Sequence, residues 1–246
     1  MVGTAGEISY EVVDDDSELV LIQAREVRNF YSSHAVPEDE AVLLRFDGWQ
    51  AVSCDPAVWG TKADLGNVWI VILDHKGRRI GRYYMSVATG YGVKDDGSLE
   101  VGGMLVWRPG AGSEAMWAER RRGGPEQPGS WLAYTGEQRA TWLEISVNHA
   151  THSARNDDPA GTEYEVDGRL VGDLRDFLCA IGEAVNGPGG YFGQSLSALA
   201  DCLGGDFGAT APFTLNWRYS SESRERLKGD FERIMDVLSR CDVRLL

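Results

Sequence analysis

The alternation of short apolar runs with helix-length amphipathic segments is the feature that most constrains the fold, and it occupies the last third of the chain. Three runs, 163–166, 212–217 and 241–246, have the length and composition of strands. Between the first two, the apolar residues after Asp173 recur every three or four positions up to Val185, which is typical of a helix with one buried face. Asp173 is a favourable N-cap. Strands separated by helices are expected to pair in parallel through right-handed crossovers.

Two further helices are predicted in the same region. One covers 195–203 and follows the segment 186–190, whose glycines and proline break the preceding helix. The other covers 222–239 and is the longest of the three. The region 163–246 is therefore predicted to be a small α/β domain of roughly 80 residues that contains a parallel sheet.

The first 147 residues are predicted to form a β-rich α+β domain whose arrangement the sequence leaves open. Residues 68–73 and 79–87 flank a turn at Gly77, which indicates a β-hairpin. Further strands are predicted at 42–46, 99–107 and 141–147, and short helices at 26–33 and 113–122, the second with Ser113 as N-cap.

A polar segment, 148–162, separates the two regions. It contains Pro159 and Gly161 and has no apolar period, which is typical of a linker. The predicted organisation is an N-terminal domain of unknown function over 1–147, a linker over 148–162 and a C-terminal domain over 163–246.

The net charge of −14 argues against nucleic acid as a direct partner, because an acidic surface repels phosphate. Such a chain suits a basic protein partner, although an acidic surface can also serve solubility alone. The start of the sequence lacks the basic and apolar parts of a signal peptide. No run approaches the roughly 18 apolar residues that span a bilayer. The expected location is the cytoplasm, and no membrane partner is expected.

The cysteines and histidines give no indication of a metal, a cofactor or an active site. Free thiols are expected, because the four cysteines are far apart and no secretion signal is present: Cys54, Cys179, Cys202 and Cys241. His149 and His152 have no carboxylate or thiol at metal-ligand spacing. His34 and His75 could form an acid–base pair only if the fold brings them together. No phosphate-binding loop and no G-x-S-x-G motif is present, so no enzymatic activity is expected.

Residues 191–205 read Y-F-G-Q-S-L-S-A-L-A-D-C-L-G-G. This segment resembles the barstar family motif Y-[YF]-G-x-N-L-D-A-L-W-D-C-L-x-G. The resemblance continues outward in order, since 166–168 followed by Leu174 is similar to the family's first strand and helix start. Residues 212–218, which end in Trp-Arg, and 241–246 are similar to its later strands. The likeness covers about the last third of the chain.

Barstar-like proteins are intracellular inhibitors of barnase-type ribonucleases, so the resemblance implies an immunity protein or antitoxin against a small secreted ribonuclease. It implies that the helix at 195–203 and the loop before it enter the active-site groove of the enzyme. A carboxylate would there occupy the place of the substrate phosphate. Arg, Lys and His side chains that hold phosphate can donate several charge-assisted hydrogen bonds to such a group.

Asp201 matches that carboxylate, and the helical period places it on or near the outward face, opposite Leu196, Leu199 and Leu203. The alternative is that Asp201 is an ordinary solvated helix charge. Tyr191 matches a contact residue but could instead pack against the first helix. Asp236 lies near a further acidic contact and could equally be a plain surface charge. The resemblance implies a partner-binding set made of Tyr191, Phe192, Gly193, Ser195, Leu196, Ser197, Ala200, Asp201, Gly205, Asp206 and Asp236.

Four positions depart from the family motif. Ser195, Ser197 and Ala200 stand where the motif has asparagine, aspartate and tryptophan. Asp206 replaces an aromatic residue, for which Phe207 could substitute. Large aromatic and charged side chains supply much of the binding energy at interfaces. The departures therefore leave the fold unaffected and point to a different ribonuclease or to weaker binding.

Three functions follow from these patterns. The first is a ribonuclease inhibitor that acts by occlusion and catalyses nothing. The second is a barstar-fold module that binds a partner other than a ribonuclease. The third is that the C-terminal part regulates an activity in residues 1–147.

Overall fold

The computed structural model describes residues 7–31, 41–53, 66–153 and 155–246, with the backbone alone at 87–91. The chain divides into two units, Met1–Gly123 and Gly124–Leu246. His34 and Cys54 lie outside the described residues.

The described part of the N-terminal unit is built on an antiparallel sheet, which confirms the predicted β-rich character. Its strands are β1 (Tyr10–Asp14), β2 (Val20–Ala24), β3 (Glu26–Arg28), β4 (Val42–Asp47), β5 (Gln50–Ala51), β6 (Asn67–Leu73), β7 (Arg79–Val93) and β8 (Leu99–Leu105). Their order in the sheet is β3-β4-β8-β7-β6-β1-β2-β5. The one described α-helix of this unit is α1 (Ser113–Arg121).

The predicted hairpin is confirmed, since β6 and β7 pair in antiparallel register. The Asp74 carboxylate closes its turn by accepting hydrogen bonds from the backbone N–H groups of Lys76 and Arg78, at 2.8 and 2.9 Å. Helix α1 covers the sheet through Trp117, which is fully buried. A side chain at Gly81 would lie 2.2 Å from the Trp117 ring, so only glycine permits this approach of helix to strand.

Two expectations for this unit are wrong. The segment 26–33, predicted to be a helix, instead contributes β3, whose residues pair with β4. Sheet hydrogen bonds outweigh the weak local helix propensity of this short segment. Helix α1 has Gly112 rather than Ser113 at its N-cap, because Ser113 already forms the first helical turn.

The C-terminal unit is built on a parallel three-stranded sheet accompanied by helices, which confirms the predicted α/β class. Its elements are α2 (Glu137–Ala150), β9 (Glu163–Asp167), α3 (Leu174–Asn186), α4 (Leu196–Cys202), β10 (Thr214–Arg218), α5 (Ser220–Leu227), α6 (Gly229–Arg240) and β11 (Arg244–Leu245). The strand order is β11-β10-β9.

The predicted cap of α3 is confirmed. Asp173 accepts a hydrogen bond from the Asp176 backbone N–H, and the Asp176 side chain bonds back to the Asp173 N–H, which forms a capping box. Phe177 on α3 is fully buried, and its ring lies 4.7 Å from that of Trp217 on β10. This pair joins the helix to the centre of the sheet.

The long helix predicted at 222–239 is wrong, because the chain forms α5 and α6 with a break at Lys228. Lys228 has a φ of +52°, which ends α5. The apolar residues Leu227, Phe231 and Ile234 keep a helical spacing across the break, and all three are buried. Because this apolar spacing continues across the break, the sequence predicted one helix where the structure has two.

The strand predicted at 141–147 is also wrong, because these residues belong to α2. Thr141, Leu143 and Ile145 alternate as in a strand, but Trp142, Ile145 and Ser146 have the spacing of one helical face and are buried. Helix α2 packs against α3. The division of the chain therefore falls at Gly123–Gly124, whereas the sequence placed it after residue 147.

The described part of the predicted linker is attached to the C-terminal unit. Asp158 forms a parallel bridge with Ala209, and its N–H donates to the Gly208 carbonyl at 2.9 Å. Thr162 accepts a hydrogen bond from the N–H of Thr214, next to β9. No helix among the described residues is long and apolar enough to cross a lipid bilayer.

Candidate protein-binding surface

Helix α4 presents one polar face. Its N-cap, Ser195, accepts a hydrogen bond from the Ala198 backbone N–H at 3.2 Å. Leu199, Cys202 and Leu203 are buried, as the helical period predicts. Leu196, also predicted to face inward, is only partly buried, because it lies in the first turn of the helix, and Ala200 is partly exposed. Ser197 and Asp201 are exposed. Among the described residues, no basic side chain lies within ion-pairing distance of Asp201, so its carboxylate is available to a cationic partner.

The residues before α4 form the support on which the helix rests. Gly193 has a φ of +102°, and a Cβ there would lie 2.7 Å from the backbone of Leu199. Only glycine fits this position, for both reasons. Phe192 is fully buried and packs near Phe213, with ring centroids 6.3 Å apart.

Tyr191 lies mostly beneath the helix. Its side chain is 7% exposed. Cys202 on α4 is also buried, and burial raises the pKa of its thiol to about 11. Cys179 and Cys202 are both free and buried, as predicted, and Cys241 is free and partly exposed. Tyr191 therefore contributes packing at the base of α4 and has little surface to offer a partner.

The loop after α4 carries an exposed aromatic side chain. Phe207 is 40% exposed and stands with its ring edge against Tyr191, with centroids 6.1 Å apart. Its neighbour Asp206 is exposed and has a φ of +69°. Gly205 is partly exposed. A Cβ at this position would lie 2.8 Å from the Thr210 hydroxyl oxygen. The loop thus brings one carboxylate and one aromatic ring to the end of the helix.

Asn186, which the sequence analysis did not single out, ties together the two chain segments that flank α4. Its side-chain Nδ2 donates to the carbonyl of Tyr191 at 2.7 Å and to the carbonyl of Phe207 at 2.8 Å. Gly208 must be a glycine here, because a Cβ would lie 2.1 Å from the Asn186 side chain.

Asp157 fixes the loop at 206–210 from the predicted linker. Its carboxylate accepts hydrogen bonds from the Thr210 hydroxyl and from the N–H groups of Asp206 and Gly208, the last two at 2.9 and 2.8 Å. These bonds, with that of the Thr210 hydroxyl foremost, hold the pKa of the Asp157 carboxyl below its usual 3.8. No local sequence signal could have revealed this role, because the partners are about fifty residues away along the chain.

Asp157→Asn is expected to lower the free energy of unfolding by about 1–2 kcal/mol at neutral pH, because an amide cannot accept all of these hydrogen bonds. The pKa of Asp157 is lower in the folded state than in the unfolded state. Its contribution is therefore present above about pH 4 and is lost as the pH falls through the folded pKa. Denaturant titrations from pH 3 to pH 7 measure the difference.

The control for this variant is Asp230→Asn on α6, whose carboxylate forms a surface ion pair with Arg233. A surface pair of this kind contributes little, so the control should follow the parent at every pH. An Asp157→Asn effect that stays constant down to pH 3 would contradict a role for the carboxylate charge.

Asp236 lies on α6, which packs against α4. Its carboxylate is exposed and 2.8 Å from Arg240, one helical turn later.

The three described histidines are divided between the two units. His75 pairs with Glu7 at 2.7 Å, and His149 and His152 lie at the end of α2 and just beyond it. The described residues contain no group of three side chains able to hold a metal ion.

The C-terminal unit thus combines a small parallel sheet with a supported helix, α4, whose outer face carries the exposed Asp201 carboxylate. Residues 162–245 match the family described as Barstar (barnase inhibitor), which confirms the resemblance seen in the sequence. The C-terminal domain is thus a Barstar domain, and the N-terminal part has no family match. No curated protein matches the chain.

Proposed function

We propose that the chain is an intracellular inhibitor of a secreted barnase-type ribonuclease and that it catalyses nothing itself. The observation that carries this proposal is the exposed Asp201 carboxylate, which has no ion-pair partner among the described residues. It lies on a helix supported by Gly193, and Asn186 holds the chain segments on both sides of that helix. The match to the Barstar family supports the nature of the partner.

The proposed mechanism is occlusion. The active site of a ribonuclease contains cationic side chains that bind the phosphate of the substrate. Asp201 would accept charge-assisted hydrogen bonds from these side chains. Because the segments that flank α4 are already ordered by Asn186 and Asp157, little conformational entropy is lost on binding. The net charge of −14 favours association with a basic enzyme.

Titration of the full chain into small guanyl-specific ribonucleases, followed by RNA cleavage, tests the proposal. Stoichiometric loss of cleavage at a one-to-one ratio is expected for at least one enzyme. Failure to inhibit any of them would overturn the proposal and leave the fold assignment intact.

Phe207→Ala is expected to weaken this inhibition by about 1–2 kcal/mol, or five- to thirty-fold, because exposed aromatic rings beside a central charge often anchor interfaces. The free energy of unfolding should change little, since the ring is 40% exposed. Inhibition assays at several inhibitor concentrations give the affinity.

Tyr219→Ala is a matched control, because Tyr219 is 41% exposed and lies at the start of α5, away from α4 in sequence. It should leave inhibition unchanged. Equal losses from both substitutions would show that Phe207 has no specific contact with the enzyme.

A second candidate is a partner other than a ribonuclease. The exposed side of α4 carries small side chains, Ser197 and Ala200, where the family motif has an aspartate and a tryptophan. A surface with two carboxylates, Asp201 and Asp206, and the nearby Phe207 ring fits a basic protein of different shape. Isolation of a one-to-one complex with a protein that is not a ribonuclease would favour this candidate, provided that the chain inhibits none of the ribonucleases tested.

A further inference from the structure

The C-terminal unit begins well before its Barstar match. Residues 124–153, here called the helical extension, precede the matched segment 162–245 and belong to the same unit. The extension contains a short 3-10 helix, Ser130–Ala133, and α2. Trp131 and Trp142 are its main buried side chains, at 1% and 2% exposed. It is therefore a packed part of the domain.

The extension is attached to the first turn of α3. Arg139 forms an ion pair with Asp176, the residue that completes the capping box. The Arg139 guanidinium also lies 4.7 Å from the centre of the Trp131 ring and donates to the Tyr134 carbonyl. Both members of the ion pair are largely buried, so the contact is shielded from water.

A second attachment lies at the last turn of α3 and involves Glu183. One carboxylate oxygen, Oε2, accepts hydrogen bonds from the Gly129 N–H at 2.7 Å and from the Trp131 indole N–H at 3.0 Å. The other oxygen, Oε1, accepts from the Gly189 N–H at 3.1 Å. A single side chain thus joins the extension to the loop that leads into Tyr191 and Gly193.

That loop has little conformational preference of its own. Gly187 and Gly189 have φ values of +77° and +68°, and glycine-rich segments have many accessible backbone states. The loop continues directly into Gly193, on which α4 rests. Whatever fixes Gly189 therefore fixes the support of the Asp201 helix.

We propose that Glu183 is a positioning residue through which the helical extension orders the loop 187–193 and so prepares α4 for its partner. This inference rests on the proposed function for its link to inhibition. The ordering itself is a property of the free protein and can be measured without any partner.

Hydrogen exchange in the full chain, followed by NMR, tests the ordering. Glu183→Gln keeps the size of the side chain but replaces one acceptor oxygen with a donor NH₂ group. Glu183→Asp keeps the charge but shortens the reach. In both variants, exchange at the Gly189 amide and the Trp131 indole is expected to accelerate about tenfold or more, while β10 stays protected.

Glu225→Gln on the exposed face of α5 is the matched control and should change none of these rates. Unchanged exchange at Gly189 in both Glu183 variants would overturn the proposal. Uniform acceleration that includes β10 would also overturn it, because Glu183 would then only stabilise the unit as a whole.

Inhibition is the second readout. With an enzyme that the parent chain inhibits, Glu183→Gln is expected to raise the dissociation constant about fivefold, because the loop must then be ordered on binding. An unchanged constant despite faster exchange would contradict the link to binding. If the parent inhibits no ribonuclease, the proposed function fails, and the exchange experiment still decides whether Glu183 orders the loop.

Discussion

Asp201→Ala is expected to raise the dissociation constant for the inhibited ribonuclease at least about thirty-fold, which corresponds to roughly 2 kcal/mol. Losing one partner of a desolvated charge pair is costly, because the cationic groups of the enzyme then remain buried without a counter-charge. This magnitude is the one generally found for alanine substitutions at central interface residues, and the barnase–barstar complex is one of the complexes on which it was established. Inhibition of RNA cleavage over a range of inhibitor concentrations measures it.

The thermal midpoint of Asp201→Ala should match that of the parent, since the side chain is exposed and unpaired among the described residues. Glu225→Ala, which removes an exposed carboxylate from α5, is the control for net charge. Unchanged inhibition by Asp201→Ala would identify Asp201 as a solvated helix charge. Equal losses of stability and inhibition would indicate a structural role.

Phe177→Ala is expected to lower stability rather than inhibition. The expected loss is about 3–5 kcal/mol in the free energy of unfolding of the C-terminal unit. Phe177 is fully buried between α3 and β10, where its ring lies 4.7 Å from Trp217, which in turn lies 5.1 Å from Phe231. Truncation leaves a cavity in this stack. Scanning calorimetry of the full chain should show the corresponding transition lowered by roughly 10–20 °C.

The remaining folded Phe177→Ala protein should inhibit nearly as well as the parent at low temperature, because the substitution does not touch the exposed face of α4. Leu170→Ala is the surface control. Leu170 is 42% exposed, so its loss should change stability by no more than about 0.5 kcal/mol. A Phe177→Ala midpoint within a few degrees of the parent would show that the core can close around the smaller side chain.

Local patterns in the sequence predicted several elements correctly, because each depends on residues close together in the chain. The cap at Asp173, the hairpin turn at Gly77 and the outward position of Asp201 follow from spacings of two to four residues. The same reasoning failed at residues 141–147 and at Lys228. At 141–147, strand and helix periods overlap, and at Lys228 the apolar spacing continues across a break in the backbone.

The support of the candidate binding surface could not be predicted in this way. Asp157 bonds to residues about fifty positions later, Glu183 bonds to Gly129 more than fifty positions earlier, and Asn186 reaches Phe207 across α4. Hydrogen bonds over such separations leave no periodic trace in the sequence. They also explain why segments interpreted as a linker and as part of another domain belong to the C-terminal unit.

The sequence by itself determined the parallel α/β core of the C-terminal domain, its Barstar motif and the exposure of Asp201, since these depend on local periodicity and residue identity. Only the tertiary structure decided where that domain begins and which side chains hold α4 in place. The physical reason is that the partly buried side chains of Asp157, Glu183 and Asn186 find hydrogen-bond partners wherever the folded chain brings them together.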